Sequence, residues 1–253
     1  MTTLEAIRTY WNTRAEGFSL KTAHELHQDP TRWIARIRPF FPRAGRLAVL
    51  DVGCGPGFLA ILLARLGHDV TAFDYTEQML ERARANAAET GVRLTICKGD
   101  AQCLPFADES FDMVVSRNLT WNLEHPEQAY AEWLRVLAPG GVLLNFDGNH
   151  YRHLYDAAYA ALETQDGRTD AHEPEYMLGV DPTPIKEVAR SLPLSRIDRP
   201  QWDTAVLLGL QAERVTVEVE RRFFQDTEGQ QCSLIGDFVV AARKAPDASN
   251  SPA

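Results

Sequence analysis

Cysteine is scarce and unorganised. Cys54, Cys97, Cys103 and Cys232 make no CxxC pair and no metal-ligand spacing, which argues against a zinc framework and predicts free thiols in a reducing compartment. The histidines are equally scattered: His24 with His27 and His150 with His153 sit three apart without the further ligands a closed site needs, so no metal is expected. Long apolar runs are missing as well. The stretch around Phe58 to Ala64 falls far short of the ~20 residues that cross a bilayer, and Met1 to Leu20 has no signal-peptide core. The expectation is a cytoplasmic protein with no membrane partner. Nor is there a cluster of Lys and Arg; with a formal net charge of −9 the chain lacks the positive surface that phosphate backbones require, which argues against nucleic acid as a partner. There is no internal repeat.

What is present is an ordinary globular composition, 45% hydrophobic and 24% charged, on a chain long enough for one α/β core plus an accessory lid. Leu4, Ile7, Trp11 and Phe18 recur at helical spacing, as do Trp33, Ile34, Ile37 and Phe40 after Asp29-Pro30, predicting two helices ahead of the core. Leu47 to Val52 is a continuous apolar run, the mark of a strand buried on both faces. Helix Phe58 to Leu66, strand Asp69 to Asp74, a helix from Thr76 to Gly91, strands Val92 to Lys98 and Phe111 to Ser116, helix Pro126 to Leu137 and strand Val142 to Phe146 continue the alternation of a doubly wound parallel sheet. The alternation stops at Gly148. Residues 148–203 read as an inserted cap with a polar centre near Gly167 to Pro174 and a helix near Ile185 to Leu192. A helix Trp202 to Leu210 then leads to an antiparallel edge pair, Arg214 to Glu220 and Asp237 to Arg243, joined through Gln225 to Gln231. The tail, 244–253, is expected to be disordered.

The chemistry-bearing segment is Val49-Leu50-Asp51-Val52-Gly53-Cys54-Gly55-Pro56-Gly57, three glycines at alternate positions where a buried strand turns into a helix. Glycine lets the backbone take positive φ and approach a ligand closely, and the helix start offers N–H groups to a polar or anionic ligand end. Asp74 closes the second strand about twenty residues later, where a carboxylate accepts hydrogen bonds from both ribose hydroxyls. Either feature alone has a bland explanation, a tight turn or a helix cap; together they point to an adenosine ligand. A dinucleotide fingerprint would read G-x-G-x-x-G, whereas here the third glycine comes one residue earlier and Phe58 stands in its place.

These residues resemble the class I methyltransferases that use S-adenosylmethionine (SAM). Five blocks agree in order: Asp51 to Gly57; Asp74 with Met79-Leu80; Gly99-Asp100-Ala101 followed by Leu104-Pro105-Phe106; Phe111 to Ser116; and Leu137-Ala138-Pro139-Gly140-Gly141. With the opening Tyr10-Trp11-Asn12-Thr13-Arg14-Ala15, the chain is similar to the small-molecule group typified by ubiquinone and menaquinone biosynthesis methyltransferases. The resemblance implies a Rossmann-like, mostly parallel sheet of seven strands in the order 3-2-1-4-5-7-6, strand 7 antiparallel, helices on both faces, and one domain over residues 1–243 whose first 40 residues form lid helices. It implies that Asp51, Gly53, Cys54, Gly55 and Gly57 hold the amino-acid end of SAM, that Asp74 holds the ribose, with Tyr75 beside it also binding the cofactor, that Met79 covers the adenine face and Asp100 with Ala101 its edge, and that Arg117 and Asn118 lie beside the sulfonium.

Transfer from SAM is an in-line displacement that needs an acceptor held at ~3 to 3.5 Å in a site without bulk water. Trp11, Arg14 and Phe18, with Trp121 and Asn122, are the expected lid and acceptor wall, and His150 is the first candidate for a base, with Tyr151 and His125 behind it. A cation held by Asp147, Asn118 and His150 has no defined ligand spacing to support it. Ser116-Arg117-Asn118-Leu119 lacks the Pro-Pro-aromatic segment that holds a flipped base, and paired glutamates suited to protein arginine are absent, which leaves a small-molecule acceptor and a monomer or homodimer. The alternatives are a SAM sensor without turnover and a nicotinamide oxidoreductase.

Overall fold

The structure is a computed structural model describing residues 2–166, 173–226 and 228–247. The chain opens with helices α1 (Thr3–Gln28) and α2 (Pro30–Ile37). It continues through β1 (Ala48–Val52), α3 (Phe58–Arg65), β2 (Asp69–Asp74), α4 (Glu77–Glu89), β3 (Thr95–Lys98), β4 (Phe111–Arg117), α5 (Pro126–Val136) and β5 (Leu137–Gly148). The helices α6 (Ala157–Asp166), α7 (Pro174–Met177), α8 (Thr183–Ala189) and α9 (Gln201–Gly209) precede the hairpin of β6 (Ala212–Gln225) and β7 (Gln231–Lys244). One seven-stranded sheet runs β3-β2-β1-β4-β5-β7-β6, with β1 to β5 parallel and β7 antiparallel to both β5 and β6. This is the Rossmann-like order that the resemblance implies.

Side-chain alternation along β1 divides the core. Val49 packs with Leu59, Ile61, Leu62 and Met113 on one face, while Leu50 and Val52 pack with Val114, Trp133, Leu143 and Val240 on the other. Both faces are covered, which is why β1 reads as an unbroken apolar run. Helix α3 is apolar nearly all round and is buried from Phe58 to Leu63.

Four boundaries differ from the sequence reading. Helix α1 runs well past Phe18 to Gln28; a capping box of Thr2 and Glu5 starts it, and Asp29 ends it while capping α2 through its bond from the Arg32 amide, 3.1 Å. Strand β5 begins at Leu137 rather than Val142, because the Pro139-Gly140-Gly141 segment is absorbed as an irregularity between the Phe111–Leu137 and Met113–Val142 pairs. The edge strands extend to the turn, so Gln225 to Gln231 is a hairpin tip and not a long connection. Lys244 belongs to β7, its ammonium donating to the Leu137 carbonyl at 2.7 Å; the rest of the expected tail from 248 on, and 167–172 of the cap's polar centre, lie outside the described residues. Among the described residues no helix is long and apolar enough to cross a membrane.

Candidate active site

The glycine turn leaves β1 at the carboxyl end of the sheet. Gly53 takes φ +68°, an angle that strains most side chains, and a Cβ there would stand 2.6 Å from the Leu119 side chain, which would have to shift. The amides of Gly53 and Cys54 donate to the Phe73 carbonyl at 2.8 and 3.1 Å, tying the turn to the end of β2. The next residue, Asp74, accepts from the Gly55 amide at 2.9 Å with one oxygen and from the Thr76 amide at 2.8 Å with the other. The carboxylate is thereby aimed by two backbone donors.

Asp51 sits beneath the turn, 1% exposed, and accepts from the Ala60 amide of α3 at 2.9 Å. Burial pushes its carboxyl up to about 7; the Ala60 amide opposes the rise, the neighbouring Asp74 charge adds to it, and Arg117 opposes it. Asp74 is raised by burial too, held back by its amide donors. Burial and these two carboxylates keep the Cys54 thiol neutral.

Around the turn opens a cavity of about 180 Å³. Of the expected cofactor residues, Asp51, Gly53, Cys54, Gly55, Asp74, Tyr75, Met79, Asp100, Ala101, Arg117 and Asn118 all line it, and of the expected lid residues Trp11, Phe18, Trp121 and Asn122 do. Asp100 is oriented by the Gln102 amide at 2.9 Å, and the Ala101 carbonyl by the Trp133 indole at 2.9 Å. Trp11 meets Phe18 and Trp121 edge to face at 5.4 and 6.3 Å, making an aromatic wall. Arg117 is gripped in a bidentate pair with Glu25, both bonds 2.8 Å, with its guanidinium 4.4 Å from the Trp33 ring centre.

Five expected residues are not brought to the cavity. Gly57 caps α3 at φ +92°, where a Cβ would press on Ala83 of α4 at 3.3 Å; its place is the packing of two helices. Arg14 is buried and turned to the cap, donating to the Tyr176 carbonyl at 2.5 Å, with its guanidinium 5.0 Å from the Phe18 ring centre. His150 and Tyr151 pack against Trp121, ring centres 5.7 and 4.9 Å away, and His150 lines a separate small cavity with His153, Tyr159, Glu163 and Arg222. His125 precedes α5, its amide bonded to Gln102 at 2.6 Å.

Two sets of residues escaped the sequence reading. The roof of the cavity is a stripe along α1, in which the unforeseen Arg8, Lys21, Thr22 and Glu25 join Leu4, Ile7, Trp11 and Phe18 at helical spacing. The roof is tied down by Asn86 of α4, which donates to the Pro56 carbonyl in the glycine turn at 3.0 Å and accepts from the Ser19 hydroxyl of α1 at 3.0 Å. The second set is a buried charge cluster. Arg199 bonds Asp147 at 2.8 Å and Asp203 at 2.6 and 2.9 Å, all three side chains fully buried, and the Tyr130 hydroxyl donates to Asp203 at 2.5 Å. Asp147 also accepts from the Trp121 amide at 3.2 Å and faces His150 at 3.2 Å. Although burial raises the Asp147 carboxyl, Arg199 and His150 outweigh it and hold the group at about 2. The cluster therefore anchors the aromatic wall at Trp121 to the segment before α9.

Residues 50–145 match the family described as "Methyltransferase domain". The chain is 42% identical over 107 residues to a ubiquinone/menaquinone biosynthesis C-methyltransferase of Roseobacter denitrificans, covering 41% of this chain and 42% of that protein. It is 38% identical over 102 residues to a demethylmenaquinone methyltransferase of Renibacterium salmoninarum, covering 40% and 41%. The chain thus spans less than half the length of these relatives. A solved SAM-dependent methyltransferase from Methanosarcina mazei shares the fold at a TM-score of 0.53 and 21% identity, over 84% of this chain and 98% of that one. The strand order, the cavity at the carboxyl ends of the strands and the match over its floor agree: residues 50–145 are similar to a methyltransferase domain, and the chain has the fold of that solved SAM-dependent methyltransferase.

Proposed function

We propose that the protein binds SAM in this cavity and transfers its methyl group to a small-molecule acceptor. The observation that carries the reading is the pair of carboxylates, buried Asp51 and half-buried Asp74, flanking a glycine turn in one cavity. A carboxylate aimed by two amides suits a ribose diol, and a second, poorly solvated one suits a ligand bearing positive charge. A pyrophosphate would meet the two acids with Arg117 already committed to Glu25, which disfavours the nicotinamide alternative.

SAM, when bound, supplies an already activated methyl group. The chain's own residues do the positioning: Asp51 and the glycine turn hold the amino-acid end, Asp74 the diol, Met79 and Tyr75 the adenine face, and Asp100 with Ala101 the adenine edge. Trp11, Phe18 and Trp121 exclude water, and the α1 stripe forms the acceptor wall. Among the described residues no histidine lines the cavity. Burial raises the Glu25 carboxyl, but the Arg117 hydrogen bonds and charge prevail and hold it below its ordinary value, so it is a weak base. The arrangement suits an acceptor that is nucleophilic without strong base assistance, such as an amine, a thiol or an acidic enol.

Calorimetry with SAM and its demethylated product tests binding. Asp74→Ala loses two charge-assisted hydrogen bonds to the diol, roughly 3 kcal/mol or about 100-fold in affinity. Incubation with methyl-labelled SAM and a metabolite extract tests turnover: a labelled small product is expected, whereas tight binding with no labelled product across a broad extract makes the protein a sensor.

A further inference from the structure

Strand β6 is the open edge of the sheet, and apart from half-buried Val215 its residues 213–221 are all exposed. A long edge without proline or a covering element is a template for another strand. Its one described edge partner lies at the far end, where the Gln165 side chain of α6 accepts from the Gln225 amide at 2.9 Å and donates to the Gln225 carbonyl at 2.6 Å. Both main-chain groups of Gln225 therefore point away from β7. In an antiparallel ladder this alternates, so those of Phe223, Arg221, Val219, Val217 and Val215 also point outward. The alternation holds along this stretch because the irregularity between Val219 and Arg221 adds its extra residue on β7, where their partners are Phe238 and Ile235.

We infer that this edge pairs with the same edge of a second copy, antiparallel, across a two-fold axis at Val217. Outward-facing residues must oppose outward-facing residues, so the register moves only in steps of two. With Val217 opposite itself, Val215 meets Val219, Thr216 meets Glu218, Arg214 meets Glu220, and Glu213, at the bulge that opens the strand, comes to Arg221. Each charged side chain from 213 to 221 except Glu218 then faces the opposite sign, and the three valines form one row with their copies. That row continues the apolar face made by Phe238, Val240 and Ala242 of β7, where Val217 and Val219 are 36% and 45% exposed in the single chain. The neighbouring registers are poorer. One step toward the carboxyl end sets Arg214 against Arg222 and Glu218 against itself; one step the other way leaves Glu220 opposite Ala212 and Glu213 opposite Val219. The favoured register gains about six main-chain hydrogen bonds and joins two seven-stranded sheets into one.

Light scattering and sedimentation of the full chain at micromolar concentration test the pairing, independently of any ligand. The wild type is expected at twice 28.4 kDa. Val217→Lys puts two ammonium groups across the axis, and Arg214→Glu sets glutamate against glutamate at both ends; each is expected to run at the single-chain mass with unchanged circular dichroism. The double exchange Arg214→Glu with Glu220→Arg restores opposite charges and is expected to recover the dimer. A wild type at the single-chain mass, a Val217→Lys protein that stays dimeric, or a double exchange that fails to recover the dimer overturns the assignment.

Discussion

With SAM in the proposed site, Asp51 couples its binding to pH, with a sign that the structure determines. In the ligand-free protein its carboxyl titrates at about 7, because it is 1% exposed, has one amide donor and lies near Asp74. A positively charged ligand binds the ionised form, so below that value a proton must leave before binding. Affinity for SAM is then full near pH 8 and falls by about tenfold for each pH unit below 7, reaching about 30-fold weaker at about pH 5.5. Stability runs the other way. A carboxyl raised from its ordinary 3.8 to about 7 in the folded state favours folding fully below 3.8, and that contribution is lost as the pH rises through 7, a difference of roughly 4 kcal/mol. Asp51→Asn keeps an acceptor for the Ala60 amide and removes the charge. It is expected to unfold at a higher temperature than wild type at pH 8, to bind SAM more weakly there, and to show a flatter affinity profile. Calorimetry in two buffers of different ionisation enthalpy also counts the proton released by wild type below pH 7. A wild-type affinity that is the same at pH 5.5 and 8, or a variant with the wild-type slope, refutes the reasoning.

Gly17 faces the cap so closely that a Cβ would lie 1.8 Å from the Tyr176 carbonyl oxygen. Gly17→Ala must push α1 off α7 and break the Arg14–Tyr176 bond, costing about 2 to 5 kcal/mol in urea unfolding; an unchanged midpoint contradicts the docking of α1 on the cap. Arg199→Met leaves Asp147 and Asp203 buried without their cation, an expected loss of about 3 to 5 kcal/mol near pH 7. Because Asp147, no longer held down by Arg199, then takes up a proton more readily, the deficit shrinks as the pH is lowered to about 5, and a deficit that stays constant there speaks against a charge-based loss.

The floor of the cavity was legible in the sequence because its residues follow one another along the chain. Asp51 to Gly57 is a single turn, Asp74 ends a strand whose bounds match those expected, and Asp100 and Ala101 lie within one loop. The roof was legible only as far as Phe18. Beyond Phe18 the inward side chains of α1 are Lys21, Thr22 and Glu25, so the apolar period that announces a helix ends while the helix continues. Arg199 and Asp203 carry no local pattern at all; they belong with Asp147, from which Arg199 is separated by 52 positions. His150 was expected at the cavity because it closely follows the fifth strand. That strand runs on to Gly148, and the turn after it lays His150 against Trp121 rather than into the open space. The edge strands were placed correctly but shortened, since exposed Arg, Glu and Gln between the apolar positions of β6 resemble a loop until a hairpin partner is supplied.

Asn86 has a consequence for how the slot keeps its shape. Its planar amide has one end on the Pro56 carbonyl and the other on Ser19, so the height between ceiling and floor is gauged by a rigid group belonging to neither wall. Helix α4 thus acts as a spacer: lengthening that one side chain to glutamine would reset the clearance above the glycines without altering any side chain that lines the cavity.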